Sequence, residues 1–137
     1  MPSASARAGS DAGVKINRER DGGGPIIRGF TRTGFRLDEE TVLEAALLTV
    51  REARAWSPPP LAALDEGALA AILEPAPEFI LIGTGATLAR PPRALVDALE
   101  ARGIGVEPMD SRAAAKAWGV LRSEGREIAA ALYPLEG

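Results

Sequence analysis

The spacing of apolar residues divides the chain into a patternless start and a periodic remainder. Residues 1–25 carry no helical or strand period, and Gly22-Gly23-Gly24-Pro25 closes them like a hinge. They read as a disordered tail. From Ile26 to Trp56 the pattern is strand-like. Ile26-Ile27 opens a first run, and Phe35 and Leu37 share a face by period-two alternation. Asp38-Glu39-Glu40 reads as a turn. Val42 and Leu43 lead into Ala45–Val50, which suits helix or strand and is taken as strand because its neighbours form a meander. Arg51-Glu52 would turn the chain into a strand from Ala53 to Trp56.

Ser57-Pro58-Pro59-Pro60 breaks regular structure. A short helix is predicted next, capped by Asp65, with Leu69, Ile72 and Leu73 on one face and Pro75 and Pro77 at its end. Phe79-Ile80-Leu81-Ile82 is a short, wholly apolar run, as expected of a strand covered on both faces. A helix from Pro91-Pro92 to Arg102-Gly103 has Leu95, Val96 and Leu99 as its inner stripe. Ile104–Met109 is a further strand, with Pro108 expected at its last, unpaired end. Ser111 is the expected N-cap of a helix whose Ala114, Ala117, Trp118 and Leu121 fall at i, i+3, i+4 and i+7. Glu124-Gly125 is a turn. Glu127–Tyr133 is the last strand, ended by Pro134. Strands first, then strand–helix–strand–helix–strand, predict an α/β domain over residues 26–137 with a mixed sheet and helices packed on it.

Composition narrows the chemistry. The 137 residues suit one domain. There is no Cys, which excludes disulfides, zinc–thiolate sites and thiol catalysis, and no His, which removes the commonest metal ligand and the commonest general base near neutral pH. No metal and no cofactor is expected. The net charge is −3, a poor basis for wrapping a polyphosphate backbone, so no nucleic-acid partner is expected. No apolar run approaches the ~20 residues of a transmembrane helix, and no secretory signal is visible. The Ala/Ser/Arg-rich start offers a weak match to a transit peptide, opposed by Asp11 and the glycines. A cytoplasmic protein is expected.

Gly83-Thr84-Gly85 follows the buried strand and is the main candidate for a site. Such a turn can aim backbone N–H groups at an anion. Asp110 stands at the end of the next strand, where a ribose-binding acid would sit. The dinucleotide pattern fails because Leu88 occupies the third glycine position and the helix begins only near Pro91. A tight strand exit and a small-molecule pocket both remain open at this point. Met109-Asp110-Ser111 has the same two readings, a helix cap or a ligand contact. Arg28, Arg32 and Arg36 would share one face of an unbroken strand and form a docking surface or a solvated edge, but Gly29 and Gly34 argue against one flat strand. The acid pairs Asp38/Glu39/Glu40 and Asp65/Glu66 read as solvated charge. Trp118 reads as core, and Trp56 as a cover for a sheet edge.

Four segments in order, Gly34–Leu37, Phe79–Gly85, Gly103–Ser111 and Glu124–Leu132, carry a resemblance. The chain resembles the small domain family first seen in a methanogen protein of unknown function. The family's mitochondrial member is a respiratory complex I assembly factor, the third of the NADH dehydrogenase alpha-subcomplex factors. The resemblance covers about residues 26–135. It implies a three-layer fold around a central mixed sheet and a non-enzymatic role. It departs at Trp118-Gly119, where the family has Tyr-Asn, and at Pro108, where it has a β-branched residue.

The resulting expectation is an adaptor or assembly factor that binds a protein partner. Peripheral association with a membrane complex and, in a eukaryotic cell, the mitochondrial matrix follow from the resemblance. The alternative is a small-molecule or nucleotide-binding module. In either case Gly83, Thr84, Gly85, Met109, Asp110 and Ser111 form the candidate pocket or docking surface.

Overall fold

The computed structural model describes residues 24–38 and 40–136. The expected tail, the glycine hinge up to Gly23 and the transit-like start therefore lie outside the described residues, as does Glu39 of the expected turn.

Three short strands open the domain: β1 (Gly29–Phe30), β2 (Phe35–Arg36) and β3 (Val42–Leu43), an antiparallel three-stranded sheet. They are short because polar side chains take over the backbone. Thr31 Oγ1 accepts from Gly34 N at 3.0 Å, and Asp38 Oδ1 accepts from Glu40 N and Thr41 N at 2.9 and 2.8 Å. Such local bonds compete with ladder formation. The expected first run thus shifts from Ile26-Ile27 to Gly29–Phe30, and the hairpin separates Arg32 from Arg28 and Arg36. They do not share one strand face.

The main sheet has five strands: β4 (Ala46–Leu48), β5 (Ala53–Ala55), β6 (Phe79–Gly83), β7 (Gly105–Met109) and β8 (Ala129–Leu132), in the order β5-β4-β8-β6-β7. β6 runs parallel to both β7 and β8, and β4 is antiparallel to β5 and β8. The sheet is mixed. The six-residue strand expected at Ala45–Val50 shrinks to three, since Thr49 Oγ1 accepts from Arg51 N and Glu52 N and starts the turn early.

Alternation along the strands divides the core. Leu47, Ile80, Ile82, Ala129 and Ala131 face one side, where they meet α1 (Arg93–Ala101) through Leu95 and Leu99, and the segment Gly67–Ile72 through Leu69 and Ile72. Ala46, Leu48, Leu81, Ala130 and Leu132 face the other side, against α2 (Ser111–Ser123) through Ala114, Ala115 and Trp118, and against Phe35 of the small sheet. Helix, sheet and helix make three layers. The alanines of β8, buried on both faces, let both helical layers approach closely.

Three further expectations are corrected. The short helix is a 3₁₀ segment, Gly67–Ile72, although Asp65 Oδ1 does accept from Ala68 N at 3.0 Å. Pro108 is not at an unpaired end but is paired in register with Ile82. It is tolerated because β7 is an edge strand. Gly105 N donates inward to Glu78 O, so the backbone of residue 108, three positions on, faces outward, where no N–H is needed. Ser111 is not the cap of α2. Asp110 is, its Oδ1 accepting from Ala113 N at 2.9 Å.

Trp118 lies fully in the core and donates from its indole to Pro25 O at 2.9 Å, so the packing reaches Pro25. Trp56 meets Tyr133 edge to face at 5.1 Å.

Candidate functional site

The six candidate residues lie together at the C-terminal ends of β6 and β7. Gly83 needs to be glycine, because a Cβ there would stand 2.9 Å from both Cα and Oγ of Ser111. Gly85 has φ +109°, a conformation L side chains rarely adopt. The turn these residues make brings the loop against the start of α2.

Hydrogen bonds close this junction. Thr84 N donates to Met109 O at 2.8 Å, and Ser111 N donates to Gly85 O at 2.8 Å. Ser111 Oγ accepts from Gly85 N at 2.9 Å and donates to Tyr133 O at 2.8 Å. Tyr133 N in turn donates to Gly83 O at 2.9 Å. The hydroxyl of Ser111 is fully buried. It joins the ends of β6 and β8 to the first turn of α2. Thr84 Oγ1 donates to Thr87 O at 2.7 Å and accepts from Ala89 N at 3.0 Å, which fixes the loop beyond the turn.

The chemistry follows from where these groups point. The N–H groups of Thr84 and Gly85, which an anion cradle would use, are spent on Met109 O and Ser111 Oγ. The proton of Ser111 is directed at a carbonyl rather than at a base. Asp110 is engaged by the helix N-terminus. Gly83, Gly85 and Ser111 are buried, while Thr84, Met109 and Asp110 are half-buried. The loop 86–90 that follows the turn is exposed. Among the described residues no group of acids could hold a metal ion.

Tyr133 belongs to this junction and was missed by the sequence reading. Its hydroxyl donates to Pro59 O at 2.8 Å, and burial pushes its phenol up to about 12. The only local signal was an aromatic residue just before Pro134; its partners Pro59, Gly83 and Ser111 are all distant in sequence. The sequence reading also missed a cleft of ≈ 480 Å³ at the opposite end of the sheet. Val50, Ile72, Pro75 and Ile128 give it apolar walls, and Arg51, Glu52, Glu74 and Glu127 line it as well. Two of these carboxylates are already paired, Glu52 with Arg54 and Glu74 with Arg102. Glu78, near the same end, has its carboxyl held below the usual range by hydrogen bonds from the Arg126 guanidinium and from Glu127 N.

A mixed sheet between two helical layers, with its parallel strand ends sewn together by a buried serine, defines a three-layer α/β domain with a closed C-terminal edge. The chain belongs to the protein family of unknown function DUF498/DUF598, whose model matches residues 27–133. It is similar to an uncharacterised protein of Rhodobacter capsulatus, 45% identical over 60 residues, which are 44% of this chain and 48% of that one. The match thus spans about half the length of that relative. The chain is also similar to the zebrafish (Danio rerio) NADH dehydrogenase [ubiquinone] 1 alpha subcomplex assembly factor 3, 29% identical over 88% of this chain and 71% of that one. A solution structure of a Xanthomonas campestris protein superposes with a TM-score of 0.70 and 32% identity, covering 81% of this chain and 85% of that one.

Proposed function

We propose that this chain is a non-enzymatic adaptor or assembly factor that binds a protein partner during the biogenesis of respiratory complex I. The observation that carries the reading is the similarity to a complex I assembly factor along 88% of the chain. The geometry supports it. The polar atoms of the glycine turn are consumed in holding strand ends, so the turn serves as a scaffold rather than as a ligand cradle. No helix among the described residues is long and apolar enough to cross a membrane. In this reading the chain meets a membrane complex peripherally, in the cytoplasm or, in a eukaryotic cell, in the matrix.

The test is to delete the gene in the source organism and resolve respiratory complexes on native gels. Assembled complex I should fall, and a tagged copy of the chain should migrate with partial complexes. Unchanged amounts of complex I in the deletion strain would overturn the reading. The cleft of ≈ 480 Å³ favours a second reading, a small-molecule module, since its size falls in the range of ligand pockets. A thermal-shift screen separates the two, because a ligand that binds only the folded state raises its melting point.

A further inference from the structure

We propose that the cleft of ≈ 480 Å³ at the end of the sheet opposite the glycine turn is the seat of the chain's own residues 14–20. The place where the chain enters the fold points to this occupant. Pro25 is fixed there, its carbonyl accepting from the Trp118 indole at 2.9 Å. Gly24 packs on the turn between β4 and β5 so tightly that a Cβ on it would overlap Val50 O. Val50, Arg51 and Glu52 of that turn form one wall of the cleft. Gly24 also lines a smaller hollow of ≈ 340 Å³ that shares Arg51 and Glu52 with it. Residues 1–23 are therefore tethered at the rim of the cleft. Eight residues lead from Gly24 back to Ile16, a span of up to about 29 Å when extended, ample for a cleft of this size. A short tether gives an effective concentration on the order of a millimolar. An intrinsic affinity of only about 0.1 mM then keeps the cleft about nine-tenths filled.

The composition of the segment mirrors that of the cleft. Val14 and Ile16 are the only large apolar residues between Pro2 and Pro25, and the cleft offers apolar walls at Val50, Ile72, Pro75 and Ile128. Around them the segment carries three cations and one acid, Lys15, Arg18 and Arg20 with Glu19. The cleft carries the reverse, Glu52, Glu74 and Glu127 with Arg51. Glu52 and Glu74 already hold Arg54 and Arg102, but as exposed bridges, which contribute little and exchange partners readily. Glu127 is exposed at the rim. A small molecule or a partner that uses this cleft must first displace the segment.

The full chain has no cysteine, so a single introduced thiol reports on the segment. A nitroxide on Asn17→Cys should erase the amide signals of Ala71, Ala76 and Ile128, which line the cleft, and spare those of Thr87, Leu88 and Ala89 at the other end of the sheet. Adding Val14→Asp and Ile16→Asp should restore the erased signals. A second measurement gives a rate. Asn17→Cys with Ala71→Cys, the latter at an exposed position on the cleft wall, should close a disulfide within one chain. Val14→Asp with Ile16→Asp should slow that closure about tenfold, because it removes the docked population and leaves only the tether. Cleft signals that survive the nitroxide, or erasure and closure that persist unchanged with both aspartates, overturn the proposal. So does a mixture of nitroxide-bearing chains with isotope-labelled, thiol-free chains in which the labelled cleft signals fade, since the segment would then sit in a second copy.

Discussion

Replacing Ser111 by alanine tests the junction most directly, because two neighbouring residues exchange the roles their sequence suggests. If Ser111 were a cap, Ser111→Ala would cost about 1 kcal/mol and Asp110→Ala next to nothing. In the structure Asp110 is the cap, so Asp110→Ala should cost about 1 kcal/mol. Ser111→Ala removes a fully buried hydroxyl that satisfies two other buried groups, Gly85 N and Tyr133 O. Each group left without a partner costs roughly 1–3 kcal/mol. Allowing for some relaxation, the loss should be about 2–4 kcal/mol. At roughly 4 °C per kcal/mol this lowers the melting temperature by about 8–16 °C. Urea unfolding followed by the indole fluorescence of Trp56 and Trp118 measures it, with the midpoint shifting and the slope unchanged if only stability is altered. A smaller loss for Ser111→Ala than for Asp110→Ala would refute the account of Ser111 as the pin between β6, β8 and α2.

Three further outcomes follow from single positions. Gly83→Ala forces a methyl to within 2.9 Å of Ser111 Cα and 3.0 Å of Leu132 Cδ2, so it should destabilise by about 1–3 kcal/mol in the same urea assay, and an unchanged midpoint would mean the strand can shift. Gly119→Ala meets nothing within 4 Å inside α2, so it should stabilise by about 1 kcal/mol, read as a raised melting temperature. Tyr133 is the chain's one tyrosine, so absorbance near 295 nm should show a single phenol ionising near 12 in the folded protein. Because its folded value lies above its unfolded one of about 10, the stability it supplies is whole below pH 10 and drains away as pH rises toward 12; ionisation at the ordinary value would contradict its burial.

The parts of the fold set by local pattern were legible. Phe79–Ile82 is apolar throughout and sits at the junction of the two core halves, and Leu95, Leu99, Ala114 and Trp118 are where helical spacing places them. The region 26–56 was legible in type but not in boundaries. Thr31, Asp38 and Thr49 each end a strand by bonding the backbone two or three residues ahead, a competition that apolar periodicity does not register. The candidate residues do converge in space. What could not be read is the direction of their polar atoms. Gly85 N looks like a donor for an anion until Ser111, 26 residues away, is seen to take it, and Ser111 looks like a cap until Tyr133 O is seen to receive its proton. These are long-range facts, and no spacing rule carries them.

The edges of the five-stranded sheet limit how a partner would engage it. An open edge ordinarily invites strand addition, in which backbone groups supply most of the affinity. On β7 the outward-facing positions are 106 and 108, and Pro108 has no N–H to give, so a strand laid there loses a ladder bond in the middle of its run. On β5, Thr49 N donates to Glu52 O and Trp56 N donates to Ala45 O, so the groups of Glu52 and Trp56 turn inward and only Ala53 and Ala55 face out. Two residues cannot order a docking strand against its loss of conformational entropy, which runs at roughly 1–2 kcal/mol for each residue fixed. With one edge of the five-stranded sheet interrupted by proline and the other two residues deep, backbone pairing is a poor handle on that sheet. On the adaptor reading, recognition at this sheet would fall to side chains that stand clear of the fold, whose affinity depends on how firmly their own backbone is held.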